Sequence, residues 1–345
     1  MVISNRKGKV FFLEIITNAS EFYLDKKTAA AIGKFDGIHI GHRRLLEEIL
    51  TLKKDGLAAC VFTFDPLPAI FFGACGERER AETMAAAQSS GAMPDPVAAS
   101  CKMMLYTRQE KRILFERMGV DILIEFPLNQ ETASIPPVDF VTDILMGQMN
   151  VRFLAAGKDL SFGAKGAGNG ALLRKLGPRL GFDFKDIDKV CLEGREVSST
   201  RVRSQVVKGH MEEVARLLGM PYMIAGRVET GNKIGRTIGF PTINIFPDEG
   251  KLLPPNGVYF SLVCWRGKEY PAVSNIGCKP TVSEEGKVGV ESWLYDFEED
   301  IYGEEVEVYL CAFHRPEQRF EGLEQLRGQL MKDIAAGAEF HGDRF

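Results

Sequence analysis

The hydrophobic positions of this chain follow two rhythms. In the first two thirds, short unbroken apolar runs alternate with segments whose apolar residues recur every three or four positions. The runs are Thr28–Ile32, Leu57–Phe64, Val120–Phe126 and Val151–Ala156, the pattern of strands buried on both faces of a parallel sheet. The periodic segments between them read as helices. In the first, Leu45, Leu46, Ile49 and Leu50 share one side, with Arg43, Arg44, Glu47 and Glu48 opposite. Another opens at Thr107 with Glu110 three residues on, a capping box, and stops at Gly119. Further helices are predicted over Pro137–Met149 and from about Leu172, and Val10–Ile16 reads as an entry strand. Alternation of this kind predicts a doubly wound α/β domain. From Pro221 onward the rhythm changes to short alternating strands such as Val258–Trp265 and Glu304–Phe313, separated by Gly, Pro and Asn turns. That predicts a small all-β barrel closed by a helix over Gly322–Ala338. The boundary is placed near Gly219–Pro221, giving domains 1–219 and 220–345. The Ala-, Gly- and Ser-rich stretch Gly73–Ser100 has no sustained period and reads as an excursion with at most one weak helix.

Composition narrows the setting. A length of 345 residues allows two substantial cores, and a net charge of −4 supplies no basic field for nucleic acid. No helix-turn-helix with a basic recognition face is visible, so no nucleic-acid partner is expected. The seven cysteines are dispersed without a C-x-x-C pair, as expected of free thiols in a reducing cytoplasm. No apolar stretch is long enough to cross a bilayer, so no membrane partner and a cytoplasmic location are expected. Nothing specifies an oligomer beyond a monomer or weak self-association.

Candidate chemistry gathers in four places. The run Thr28–Ile32 leads into a glycine turn, then His39 and His42, then a helix. A strand, glycine loop and helix N-terminus form a ready anion site, because glycines admit a close approach and free N–H groups attract phosphate. Two imidazoles at its mouth, cationic or neutral, can stabilise charge building on an α-phosphate. A packing or capping role is the plain alternative for either histidine alone. At Val197–Gly219, Ser198, Ser199 and Thr200 stand at a helix start with Arg201 and Arg203 following. This is either an ordinary cap with solvated arginines or a triphosphate clamp. In residues 231–245, the glycines and Arg236 could form a flap over phosphates. Thr242 and Asn244, two apart on a strand, are oxygen donors suited to Mg²⁺ that also holds nucleotide phosphates. Finally, Glu291 begins a strand and is placed to act as a general base, whereas Asp296, Glu298, Glu299 and Asp300 read as a solvated acidic turn.

The stretch GKFDGIHIGH, residues 33–42, resembles the HxGH signature of the nucleotidyltransferase superfamily. Together with SSTRVR (198–203), GRTIGFPTIN (235–244), SNIGCKPT (274–281), ESWLYDF, DIYG and HRPEQRF (314–320), the chain resembles bacterial riboflavin kinase/FMN adenylyltransferases over nearly its whole length. The resemblance implies a Rossmann-like nucleotidyltransferase domain followed by a riboflavin kinase β-barrel with a closing helix. It implies that the barrel phosphorylates riboflavin to FMN with ATP and Mg²⁺, and that the first domain transfers AMP from ATP to FMN, giving FAD and pyrophosphate. It further implies that Gly33, Phe35, His39, Gly41 and His42 hold ATP, joined by Ser199, Thr200 and Arg203 of the second nucleotide signature. Asp159 and Phe162 in DLSFG would lie by the flavin, Gly235 and Arg236 in the phosphate flap, and Arg315 near the flavin of the kinase. Thr242 and Asn244 would bind Mg²⁺, and Glu291 would be the base on the ribityl 5′-hydroxyl. Three departures fall in the adenylyltransferase half: Leu67 where the family has His, Leu160 where it has Phe, and a longer Gly73–Ser100 connection. They raise one rival, a riboflavin kinase with a silent first domain.

Overall fold

The computed structural model describes residues 12–72, 103–231, 239–279 and 287–342. The Gly73–Ser100 excursion, the start of the expected entry strand, and Gly235 and Arg236 lie outside them. The chain divides into two compact units. One holds the described residues up to Met104 together with Lys111–Ser199, and the other holds Leu105–Glu110 and the described residues from Thr200 onward.

The first unit is built on a parallel sheet of β1 (Glu14–Thr17), β2 (Thr28–Ile32), β3 (Ala58–Asp65), β4 (Ile122–Pro127), β5 (Val151–Gly157) and β6 (Asp183–Ile187). Their order is β1-β4-β3-β2-β5-β6, with every pairing parallel. All five residues of β2 are buried, as a strand covered on both faces requires. The longer helices are α1 (Ile40–Thr51), α2 (Arg108–Met118, whose residues up to Glu110 belong to the second unit), α3 (Pro137–Asp139, continuing as a π-helix over Phe140–Gln148) and α4 (Gly170–Leu180). The predicted capping box forms: the Thr107 N–H donates to Glu110 at 2.8 Å and the Glu110 N–H donates to the Thr107 hydroxyl at 3.3 Å. From β2 the chain steps outward to β3 and β4, then returns to lay β5 on the other side of β2. The strand order therefore reverses between β2 and β5, and in open α/β sheets ligands bind beyond the carboxyl ends at such a point. A short hairpin, β7 (Cys191–Leu192) and β8 (Arg195–Glu196), follows β6.

The helix expected to start at Ser198–Thr200 is followed by a second, giving α5 (Ser199–Val207) and α6 (Met211–Leu218). Gly209 sits between them at φ 74, a left-handed conformation that ends the first. Met211, Val214, Leu217 and Leu218 of α6 are buried against the strands of the second unit, which is why this unit begins before the change of rhythm at Pro221.

That second unit is an antiparallel sheet of β9 (Tyr222–Arg227), β10 (Ile243–Ile245), β11 (Gly257–Trp265), β12 (Lys268–Lys279), β13 (Lys287–Leu294) and β14 (Glu305–Pro316). The order is β10-β13-β12-β11-β14-β9, and the Glu229 N–H, just beyond β9, donates to the Asn244 carbonyl of β10 at 2.8 Å. That bridge brings the two edges together and curls the sheet into a barrel. The helix α7 (Leu323–His341) lies on its outer face. Gly337 has no room for a Cβ beneath Tyr295 and Val273, so the helix approaches closely there. The buried Asp333 of α7 takes both arms of the Arg315 guanidinium, at 2.9 and 2.6 Å.

A second buried ion pair holds Leu105–Glu110 in the same unit. The Lys251 ammonium donates to Glu110 at 2.7 Å and to the carbonyls of Leu105 and Met223, both at 2.8 Å. It lies between the rings of Tyr106 and Tyr222, 4.6 and 4.3 Å from their centroids. The other Glu110 oxygen accepts from the Ala225 N–H at 3.0 Å. A charge removed this completely from water is tolerable only because each donor is matched.

Candidate active sites

The histidine loop starts where β2 ends and finishes as the first turn of α1. His39 is the N-cap, and its Nδ1 accepts from the His42 N–H at 3.3 Å. Because Nδ1 is an acceptor, the proton of the neutral ring is on Nε2, which is left as a donor. The two imidazoles stack with centroids 3.9 Å apart. Burial lowers the His39 pKa from its usual 6.5 to about 4, against smaller opposing effects from its backbone and from Asp159 and Glu196. His42 is likewise pushed well below 6.5, by burial first and by His39 second. Of the two options open from sequence, the neutral N–H donor is therefore the one found at pH 7, and two stacked neutral rings avoid like-charge repulsion. The Nδ1 of His42 is buried with no hydrogen-bond partner.

Backbone and packing explain why the loop takes this shape. Phe35 and Ile38 have φ of 42 and 43, unusual for side chains of their bulk, and such strain collects at functional loops. A Cβ on Gly41 would stand 3.1 Å from the His39 ring, and one on Gly33 would stand 3.1 Å from Phe35. Phe35 is fully buried, 5.0 Å from His42 and 5.6 Å from Phe115 between ring centroids, so it supports His42 from behind. Across the switch point, β5 ends at Gly157 and leads into Asp159, which is exposed and pairs with Lys189 at 3.5 Å. Phe162 is buried in the core against Phe140, at a centroid distance of 5.3 Å. Leu160 packs against the same core and Leu67 is buried, so both departures from the family pattern are absorbed as apolar packing. Ser199 closes the first unit at the start of α5, whereas Thr200, exposed, and Arg203, buried, belong to the second.

The barrel holds the other site on one face of three adjacent strands. Asn244 of β10 is the register partner of Glu291 on β13, and Glu291 is in turn the partner of Asn275 on β12. Opposed residues project from the same face, so the three form a row. The Thr242 hydroxyl, one residue before β10, donates to Glu291 at 2.5 Å. Glu291 stands in the middle of β13, not at its start, because that strand begins at Lys287. Asn244 is buried, and Gly231 has its backbone so near that a Cβ would stand 2.7 Å from the Asn244 side chain. Thr242 and Asn244 thus offer hard oxygen donors in a cradle that only a glycine leaves open, which fits Mg²⁺ and not a thiol- or imidazole-seeking metal. Beside Thr242 is an open recess with an apolar floor from Val228, Ile243, Leu294 and Ile301 and an acidic rim at Glu298–Asp300. Arg315 spends its guanidinium on Asp333 and the Pro316 carbonyl. Nothing in the spacing of SNIGCKPT marks Asn275; only the strand register shows that it flanks Glu291.

A switch-point crevice with two stacked histidines in the first turn of a helix, and an oxygen-lined barrel face with a carboxylate, define a two-unit enzyme class that transfers phosphate-containing groups from nucleotides. Comparison with known proteins is more specific. Residues 22–201 match the family model described as FAD synthetase, and residues 218–341 match the one described as Riboflavin kinase. The bifunctional riboflavin kinase/FMN adenylyltransferase of Escherichia coli K12 is 35% identical over 313 residues, covering 90% of this chain and 92% of that protein. The enzyme of the same description from Listeria monocytogenes is 31% identical over 312 residues, covering 90% and 91%. A crystal structure of a protein described as a macrolide-efflux protein from Streptococcus pneumoniae superposes with a TM-score of 0.73 at 27% identity, covering 94% of this chain and 98% of that one. Among the described residues no helix is long and apolar enough to cross a membrane. This chain belongs to the bifunctional riboflavin kinase/FMN adenylyltransferase family.

Proposed function

We propose that the protein makes FAD in two steps, phosphorylating riboflavin on the barrel and adenylylating FMN at the histidine loop. The family match across both units supports this over a kinase with a silent first domain, as does the intact pair of neutral histidines. The carrying observation for the first step is the Thr242–Glu291–Asn244 constellation. Glu291 takes the proton of the ribityl 5′-hydroxyl as that oxygen attacks the γ-phosphorus of ATP. Thr242 and Asn244 would hold Mg²⁺, which when bound neutralises phosphate charge. The apolar floor of the recess beside Thr242 seats the face of the adenine ring, and Gly235 and Arg236 are assigned to the phosphate flap by their motif. The Thr242 hydroxyl donates its hydrogen bond to Glu291, which leaves its oxygen lone pairs as the ligands Mg²⁺ would take.

In the second step the FMN phosphate attacks the α-phosphorus of ATP and pyrophosphate leaves. The Nε2–H of His39 and the ring of His42 donate to the oxygens that gain charge, and the amides at the start of α1 add to that field. Gly33 and Gly41 admit the phosphates and Phe35 braces His42; Ser199, Thr200 and Arg203 are assigned to the triphosphate by their motif alone. Asp159 is at the flavin side of the crevice, and Phe162 shapes that side from within the core. Arg315 acts in the kinase by fixing α7 through Asp333. We place the catalytic division at residues 219 and 220.

The test is to incubate the purified full-length protein with riboflavin, ATP and Mg²⁺ and to separate the flavins by chromatography. FMN and FAD should both form. FMN alone, even when FMN and ATP are supplied directly, would leave only the kinase half of the proposal standing.

A further inference from the structure

The row Asn244–Glu291–Asn275 is polar at both ends, yet the reaction so far uses only one. Thr242 and Asn244 occupy the β10 side of Glu291, where the nucleotide phosphates are placed. In phosphoryl transfer the attacking and leaving oxygens lie roughly in line. The alcohol must therefore come from the opposite side of Glu291, which is the β12 side. There the register sets Asn275 directly beside the carboxylate. The next pair on the same face is Gly277 and Gly289; neither strand adds a side chain there, and Glu317 lies over the first and Phe246 over the second.

Asn275 is held by a second carboxylate. Its Nδ2 donates to Glu317 Oε1 at 3.4 Å, and the Asn256 Nδ2 donates to Glu317 Oε2 at 3.2 Å. Glu317 rests directly on the backbone of Gly277, where a Cβ could not be accommodated. An ionised carboxylate only accepts, so the amide of Asn275 must turn its NH₂ toward Glu317 and offer its Oδ1 elsewhere. An acceptor beside the base suits a hydroxyl donor one or more carbons from the reacting 5′-oxygen. The ribityl chain carries such hydroxyls.

We propose that Asn275, oriented by Glu317, recognises a secondary hydroxyl of the ribityl chain and so selects a polyol-bearing flavin for phosphorylation. This rests on the assignment of Glu291 as base. Asn275 is the specificity residue and Glu317 a positioning residue.

The experiment measures kcat/KM of the full-length protein for riboflavin and for its analogues lacking the 2′-, 3′- or 4′-hydroxyl. The wild type should discriminate against one analogue by roughly tenfold, the value of one hydrogen bond. Asn275→Ala should bring that ratio close to one and leave the other two ratios unchanged. Glu317→Gln, whose amide oxygen still accepts from Asn275, should keep the discrimination, whereas Glu317→Ala should weaken it. A wild-type midpoint for the barrel unit in urea unfolding reports that each variant is folded, and Asn275→Ser replaces the alanine variant should that one fail to fold. A wild type indifferent to all three hydroxyls would overturn the proposal, as would a variant that slows all four substrates equally. Glu291→Gln separates the two claims: full activity in that variant sinks the base assignment, while the hydroxyl ratios judge Asn275 by themselves.

Discussion

The histidine loop and the barrel face handle phosphate by opposite means. In the loop, ten consecutive residues from Gly33 to His42 carry both imidazoles and the glycines beside them, and the rings are stacked and neutral. On the barrel, Thr242, Glu291 and Asn275 come from three separate segments and meet only through strand register and one 2.5 Å hydrogen bond. A site built from one turn depends on local backbone shape. A site built across strands depends on the fold holding its register, and a slip of one residue would send each side chain to the other face.

The largest effect should come from the carboxylate. Glu291→Gln is expected to reduce FMN formation by about 10²–10⁴-fold, the usual worth of a positioned base, with FAD formation from supplied FMN unchanged. Equal losses in both activities would end the separation of the two sites. A comparable free energy attaches to a residue outside both. Lys251→Met leaves the Glu110 carboxylate buried without its cation, which should destabilise the barrel unit by about 3–5 kcal/mol in urea unfolding. Adding Glu110→Gln should return much of that loss. An unchanged midpoint in Lys251→Met would show that the pair is not the pin it resembles.

Next comes the loop. His42→Ala should slow FAD formation by roughly 10²–10³-fold, as removal of one transition-state donor does, while riboflavin phosphorylation continues. Loss of phosphorylation in a folded His42→Ala protein would contradict the division of labour. The smallest effect sharpens the claim of neutrality. With the His39 pKa near 4, FAD formation should show no break attributable to it around pH 6.5. Stability gives the complementary sign. Between pH 6.5 and 4 the unfolded chain binds the His39 proton and the folded one does not, so stability falls as pH drops through that window. The slope from this group approaches about 1.4 kcal/mol per pH unit, and His39→Asn should remove it from the stability profile.

Sequence by itself determined the elements that depend on neighbours along the chain. The apolar runs gave β2 to β5, the box of Thr107 and Glu110 started α2, and HxGH placed two rings at one helix mouth, because an N-cap and its first turn are set within four residues. It also separated the α/β rhythm from the all-β one, although the packed units divide at Thr200, since the buried face of α6 needs the barrel strands and not the change of rhythm. What depended on distant partners was left to the tertiary structure. Glu291 looked like the start of a strand and proved to be its middle. The packing of Phe35 behind His42 and the pairing of Arg315 with Asp333 are seen only in the folded chain. Whether the histidines are charged was likewise decided by burial, which residue spacing does not encode. Local geometry is written in adjacent residues; desolvation and cross-strand register exist only once the chain has closed on itself.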